Sequence, residues 1–261
     1  MHSSEHFSPM RIVTWNIHKG VRGFAMRKRL EIHAMRDAVA SLNADIICLQ
    51  EVRRINHQEA KRFTHWPTLP QADFLAPPGY TAVYRTNAFT AHGEHGNALL
   101  SRYPVKHIGH EDMSDHRLEQ RGLMHAVLDV KTGGDSRDLH VIVVHLGLLA
   151  GSRARQLAQI GTYIAREIPT HAPLIVAGDF NSPIASQHWA QRTLHTTPKN
   201  TDACCMRSKA TPTFPARLPM TQLDHIFVRG VQLSRQHVPS EKHWARMSDH
   251  LPLIAQIELP A

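Results

Sequence analysis

A chain of 261 residues, 42% of them apolar, can bury a sizeable core and fits one large domain or two small ones. No stretch approaches the length of a membrane span, and the apolar run Leu139–Leu149 is broken by His140 and His145. Thirty basic against 22 acidic residues give a formal charge of +8, which favours anionic partners without choosing among nucleic acid, acidic lipid head groups and phosphorylated small molecules.

Met1–Met10 is polar and lacks an apolar signal core, so residues 1–9 read as a flexible tail, 10–261 as a single domain, and the cytoplasm as the compartment. Arg11–Ile17 reads as a buried strand. Met26, Leu30, Met35, Val39 and Leu42 recur at helical intervals and predict a helix from the late twenties to Leu42. Asp45–Leu49 is a second apolar strand, and the strand–helix–strand order predicts parallel pairing. Cys48 lies within it. From Arg53 to Gly79 the pattern dissolves among Pro67, Pro70, Pro77 and Pro78. Strands are then expected at Thr81–Arg85, Asn97–Ser101, Val105–His110, Leu123–Val130 and Leu139–His145, with Gly133-Gly134 as a turn. Arg153–Ile168 is a second helix and Leu174–Ala177 a strand. The adjacent Cys204-Cys205 pair is a poor disulfide framework. Leu223–Val228, Val231–His237 and Leu253–Ile257 are the last strands. The class is α/β, with many strands in mixed pairing and few helices.

Polar groups cluster where apolar strands end. Gly178 lets the chain turn after Leu174–Ala177, and Asp179 and Asn181, two apart on an extended turn, can point the same way. The carboxylate can orient or deprotonate a water while the carboxamide donates to a phosphoryl oxygen. An Asx-turn followed by a helix cap at Ser182, with Pro183 at the first helical position, is the plainer reading, and the two are compatible. Asp249 and His250 are adjacent on an extended segment, so they diverge and do different jobs. Asp224 lies inside an apolar strand, where a charge is costly unless paired; a histidine on a neighbouring strand end is its natural partner. His225 alternates out of phase and reads as structural. Glu51 ends a buried strand and suits a hard divalent cation, as does Asn16 after Trp15. His145 ends the apolar strand Leu139–Val144. Each of these alone has a bland reading as a solvated strand end or a satisfied core group; their shared placement at strand ends points to one polar site above a sheet.

Seven ordered motifs carry a resemblance: Trp15–Gly20 (Trp-Asn-Ile-His-Lys-Gly), Leu49–Val52 (Leu-Gln-Glu-Val), Gly96–Pro104, Val143–Leu146, Gly178–Asn181 (Gly-Asp-Phe-Asn), Leu223–Val228 and Ser248–His250. Over nearly the whole chain it resembles the endonuclease/exonuclease/phosphatase superfamily, and especially small bacterial members with an Asn-Ile-His-Lys-Gly opening. The resemblance implies a four-layer α/β sandwich with two central mixed β-sheets (DNase I-like). It implies Mg2+ (or Mn2+) on Glu51, Asn16 and Asp249, a water handled by Asp179, and phosphoryl oxygens met by Asn181 and His145. It also implies a His250–Asp224 pair that stabilises the phosphorane or assists protonation, with Asn97 supporting His145 from behind. Arg153 and Gln156 fall where family motifs carry an Arg-x-x-Gln. Abasic-site endonucleases carry an acid where this chain has His18, which argues against DNA repair.

The resulting expectation is a monomeric, metal-dependent phosphoesterase acting on a phosphodiester by activated-water attack, nuclease-type on DNA or RNA. Arg53, Arg54, Lys61 and Arg62 with Trp66 nearby would face the backbone. The alternative substrate is an anionic phospholipid or a phosphorylated small molecule, with the same segment lying on head groups. A non-catalytic binding module is the remaining alternative, disfavoured because every chemical group is retained.

Overall fold

The computed structural model describes residues 9–23, 27–116, 119–132, 135–182, 185–194 and 211–259. Residues 1–8 of the expected tail, Met26, the Gly133-Gly134 turn, Pro183 and the Cys204-Cys205 pair lie outside them.

Strand parity builds the architecture. In β1 (Met10–Asn16), Ile12 faces one apolar cluster while Val13 and Trp15 face another. In β9 (Asp135–His145), Val141 and Val143 share the cluster of Ile12, whereas Ile142 and Val144 face a third. β10 (Leu174–Asp179) divides likewise, Ile175 and Ala177 inward, Leu174 and Val176 outward. Strands buried on both faces read as continuous apolar runs, as these do. The shared cluster is therefore the seam between two sheets, and the other two clusters seat helices on the outer faces.

The first sheet has six strands. From one edge to the other these are β12 (Gln232–His237), β13 (Leu253–Glu258), β1, β4 (Ile46–Asn56), β6 (Gly93–Ser101) and β5 (Thr81–Thr90). The second has five: β11 (Asp224–Arg229), β10, β9, β8 (Gly122–Thr132) and β7 (Val105–Asp112). β1 runs parallel to β4 and antiparallel to β13; β10 runs parallel to β9 and antiparallel to β11. Both sheets are mixed. Helix α1 (Ile32–Ser41) buries Ile32, Met35, Ala38 and Val39 against the first. On the second sheet lie Leu157, Ile160 and Ile164 of α4 (Ala150–Glu167) and Trp189, Ala190 and Leu194 of α5 (Ala185–Leu194). The result is a four-layer α/β/β/α sandwich with the DNase I-like arrangement.

Three expectations change. The first helix begins only at Ile32, because Arg29–Leu30 (β3) pairs with Val21–Arg22 (β2) as a small hairpin closed by the Glu31 N–H on the Gly20 carbonyl. Leu30 still packs in the outer core, so it fits a helical interval without being helical. The segment after Arg53 is not wholly irregular. β4 continues to Asn56, whose side chain caps α2 (His57–Arg62) by accepting from the Glu59 N–H at 2.8 Å, and α3 (Gln71–Leu75) follows. Helix α5, which the Ser182 cap reading offers without a range, spans Ala185–Leu194, carried by the spacing of Trp189, Ala190 and Leu194. Cys48 is buried in the seam, and burial pushes its thiol pKa upward. No helix among the described residues is long and apolar enough to cross a membrane.

Gly178 sets the level of the site. A Cβ there would lie 1.9 Å from the Val144 carbonyl oxygen, and its φ is +154°. Only glycine lets β10 approach β9 so closely that Asp179 stands beside His145. Gly178→Ala is expected to destabilise the fold by about 3 kcal/mol, read as a lower urea midpoint; an unchanged midpoint would show that the strands part without cost.

Candidate active site

The inward parity that builds the seam continues into polar side chains where the strands run out. Asn16 follows Ile12 and Thr14, His145 follows Val141 and Val143, and Asp179 follows Ile175 and Ala177. Asp224 precedes Ile226 and Val228 on the same face. In register, Asp179 lies opposite His145 on one side and opposite Asp224 on the other. Three strand ends thus stand level with one another.

Glu51 arrives differently. Gln50 occupies the inward position of β4, fully buried and hydrogen-bonded to Thr14, so regular alternation would turn Glu51 outward. The pairing with β6 shifts register between Leu49 and Val52, and Glu51 has φ +56°. This irregularity re-aims the carboxylate into the site. Five non-glycine residues among those described have positive φ, and four of them, His18, Lys19, Glu51 and Asn181, belong to this site. Strained backbone concentrates where side-chain placement matters most.

The groups touch. Asn16 Nδ2 lies 3.1 Å from Asp179 Oδ2 and 3.3 Å from Glu51 Oε1, joining the two carboxylates. His145 Nε2 and His250 Nε2 each lie 3.6 Å from Asp179 Oδ2, close enough for charge coupling and too long for a hydrogen bond. His250 Nδ1 is 2.8 Å from Asp224 Oδ2, the pairing expected for a buried acid. The Ser248–His250 segment is pinned to β1: Ser248 Oγ donates to the Asn16 carbonyl at 2.7 Å, and Trp15 Nε1 donates to the His250 carbonyl at 2.9 Å. The Phe214 ring packs on His250 with centroids 5.0 Å apart.

Asn181 forms the Asx-turn, its N–H donating to Asp179 Oδ1 at 2.9 Å, and its Nδ2 donates to the Leu146 carbonyl at 2.9 Å. A carboxamide has two N–H bonds, so one remains for a ligand. Asn97 donates to the Gly122 and Val143 carbonyls at 3.0 and 3.1 Å; it braces the backbone of β8 and β9 rather than the His145 ring. Asp249 is half exposed and meets His18 Nδ1 at 3.3 Å. Gln156 Oε1 accepts from the Gly147 N–H at 2.8 Å, and Arg153 bonds the Gly147 and Leu148 carbonyls, so both hold the loop after His145. His225 is buried and bonds the Ser182 carbonyl at 3.0 Å, a structural contact.

Two residues carry more weight than their sequence positions suggested. Lys19 Nζ is 2.6 Å from Glu51 Oε2, and His18 pairs with Asp249. The signal for both was the His-Lys-Gly turn one residue beyond Asn16, a run of three left-handed residues that ends at Gly20.

Protonation follows from these contacts. Burial alone would lower the His250 pKa, but the Asp224 charge and hydrogen bond, with Asp179 and Asp249, raise it to about 10. Burial and the Arg121 cation lower His145 to about 4, so it is neutral at pH 7. Burial would raise Glu51, yet Lys19, His145 and His18 hold it well below the usual carboxylate range. Burial and the neighbouring Asp224 raise Asp179, against the pull of His145 and His250. Its negative charge is thus incompletely balanced.

Asp179, Asp224 and His250 can each bring one ligand atom within 4.8 Å of the others, a group that could hold a metal by distance alone. A protonated His250 bonded to Asp224 has no lone pair to give, so a cation fits better among Glu51, Asn16 and Asp249. Glu51 and Asp249 are hard oxygen donors, with Asp179 adjoining. Asn16 instead turns Nδ2 toward the carboxylates while its Oδ1 accepts from the His18 N–H at 3.0 Å, so it would ligate only with its amide turned over. An ammonium on Glu51 and an imidazole on Asp249 already stand where positive charge is wanted.

The sequence model of the "Endonuclease/Exonuclease/phosphatase family" matches residues 13–250, which span every group above. The chain belongs to this family. The Escherichia coli (strain K12) protein YbhP is 35% identical over 262 residues, covering 98% of each chain. Among solved folds, a family member from Bacteroides vulgatus superposes with a TM-score of 0.70 at 23% identity, covering 97% of this chain and 100% of its own. The human Nocturnin catalytic domain with bound sulfate superposes at 0.66 with 20% identity, covering 97% and 94%. Family members are generally phosphoesterase hydrolases that use divalent metals.

The His250–Asp224 pair makes a sign-definite prediction. Its folded pKa is raised above the unfolded 6.5, so its stabilisation is fully present below pH 6.5 and is lost as pH rises through about 10. The loss is on the order of 5 kcal/mol at about 1.4 kcal/mol per pKa unit. Urea unfolding across that range should show the slope. Asp224→Asn should flatten it and drop the His250 pKa by about 2 units in an NMR titration; an unmoved His250 resonance would break the pairing.

Proposed function

We propose that this protein is a Mg2+- or Mn2+-dependent phosphodiesterase that hydrolyses its substrate by attack of an activated water. The observation that carries the reading is the convergence of Asn16, Glu51, His145, Asp179, Asn181, Asp224, Asp249 and His250 at one edge of the sandwich, with complementary protonation states. Glu51, Asn16 and Asp249 would hold the metal, which when bound supplies Lewis-acid polarisation of the phosphoryl oxygens. Asp179, buried and under-compensated, orients the water and accepts its proton. The second Asn181 N–H and His145 meet non-bridging oxygens. His250, kept cationic by Asp224, stabilises the extra negative charge of the phosphorane.

Nucleic acid is the first substrate class to test, on the basic charge. A phosphorylated small molecule is the second reading, and one observation favours it. Arg53 Nη1 and Arg54 Nε each lie 4.0 Å from a carboxylate, Glu59 and Glu94, and Arg53 also stacks on Trp66. Arg62 also lies over the Phe63 ring at 5.9 Å, so most of the expected backbone-tracking segment is engaged within the protein.

Turnover of bis(p-nitrophenyl) phosphate should vanish in EDTA and return with Mg2+ or Mn2+. Asp179→Ala and His250→Ala should each lose about 1,000-fold in kcat with circular dichroism unchanged. Glu51→Ala should need about 10–100-fold more metal. A folded Asp179→Ala/His250→Ala protein as active as the parent would overturn the site. In the substrate panel, nuclease action requires an affinity for DNA or RNA that falls steeply with salt. Turnover confined to a soluble phosphoester or to anionic lipid vesicles would reassign the substrate.

A further inference from the structure

Beside the candidate site lies an open cavity of about 870 Å3 whose walls carry Arg22, Arg27, Arg29, Arg217 and Arg246. Two carboxylates also line it, and both are matched. Arg29 Nε lies 3.8 Å from Glu31 Oε1, and Arg36 Nε lies 3.7 Å from Asp37 Oδ1. Among the described residues, Arg22, Arg27, Arg217 and Arg246 belong to no ion pair. Arg22 donates from Nη1 to the Arg246 carbonyl at 2.9 Å, and burial together with the Arg217 charge lowers its pKa. Five arginines against two lining carboxylates leave an excess of like charge that opposes the fold, and the exposed Arg217 and Arg246 side chains fill no gap in the core. A bound anion would give this arrangement a use.

The cavity is fastened to the catalytic rim through backbone. Arg22 closes the turn that carries His18 and Lys19 onto Asp249 and Glu51. Arg246 stands three residues before Asp249, and Arg217 follows Ala216, whose N–H donates to the Asp249 carbonyl at 2.7 Å. A group seated among these guanidinium forks is held in a fixed relation to the reacting phosphate. Arginine forks match the oxygens of a phosphate bidentately. An open cavity of this volume admits a phosphate together with part of the molecule that carries it.

We propose that this arginine-lined cavity is a second anion subsite that binds a phosphate monoester carried by the substrate away from the bond being cleaved. The proposal deepens the phosphoesterase reading and rests on it only for the identity of the ligand as substrate. Recognition would then select molecules with at least two phosphate groups, such as a 5′-phosphorylated nucleotide unit or a phosphorylated sugar or polyol.

Inorganic pyrophosphate, titrated calorimetrically in EDTA into Asp179→Ala protein, probes the cavity without turnover. Binding is expected, weakened about 10-fold or more by adding Arg217→Ala/Arg246→Ala and by a smaller factor with Arg217→Lys/Arg246→Lys, which keep the charge and lose the fork. No binding, or equal affinity in the double-alanine protein, overturns the subsite. Arginine-dependent binding in a protein that hydrolyses no phosphoester supports the subsite and counts against the phosphoesterase reading alone. Two competitors distinguish the ligand source: a 5′-phosphorylated dinucleotide and a hexose 1,6-bisphosphate. Displacement by either, with the same arginine dependence, supports the assignment and names the class; displacement by neither overturns the role in substrate recognition.

Discussion

Everything functional here depends on two sheets packed face to face with their strand ends level. The Asn16 Nδ2 to Asp179 Oδ2 contact joins a strand end of one sheet to a strand end of the other across 163 positions of chain. The His250–Asp224 bond does the same from the loop that leads into β13. Neither contact can form unless Ile12, Val143, Ile175 and their neighbours pack the seam first. The core thus acts as the positioning device: dispersion and burial of apolar side chains hold polar groups at separations they would not choose unaided. The site then lies where the seam ends, with low-dielectric walls on two sides.

That location explains the charge pattern. Removing a carboxylate from water is costly, and the structure meets the cost differently for each acid. Glu51 has Lys19, Asp249 has His18, and Asp224 has a cationic His250. Asp179 sits at the centre with two imidazole nitrogens at 3.6 Å and no hydrogen bond to either. The least compensated acid is therefore the one best placed to gain from taking a proton. Lys19 and His18 serve the same end from the rim, neutralising the acids proposed to hold metal.

The strands were legible because those buried on both faces read as continuous apolar runs, while the four-layer sandwich followed from the family resemblance. Period-two parity placed Asn16, His145, Asp179 and Asp224 on one face, and pairing of Asp224 with a histidine followed from the cost of a lone buried charge. Other features were not legible for identifiable reasons. Glu51 reaches the site by breaking alternation, and a register shift leaves no mark in a strand's composition. Leu30 fitted a helical interval while belonging to a hairpin, because an outer-core position can be filled from either conformation. Asn97 braces carbonyls instead of a ring, a choice made by backbone geometry alone. The arginines of the cavity come from three distant stretches, Arg22–Arg29, Arg217 and Arg246, so no local pattern could announce them.

This division between seam and rim bears on how such a fold acquires a substrate. The catalytic groups sit on strand ends whose positions the core dictates, so they change little without loss of packing. The surrounding arginines sit on short peripheral elements, with Arg217 and Arg246 exposed beside the buried Ala216, Trp244 and Met247. Arg217 and Arg246 nevertheless share backbone contacts with the Asp249 segment, through the Ala216 N–H and the short span between Arg246 and Asp249. A charge on those elements is thus rigidly referenced to the reacting centre while remaining free to vary in identity. Selectivity of this kind needs no new catalytic residue; it needs cations placed at a defined offset from chemistry that stays the same.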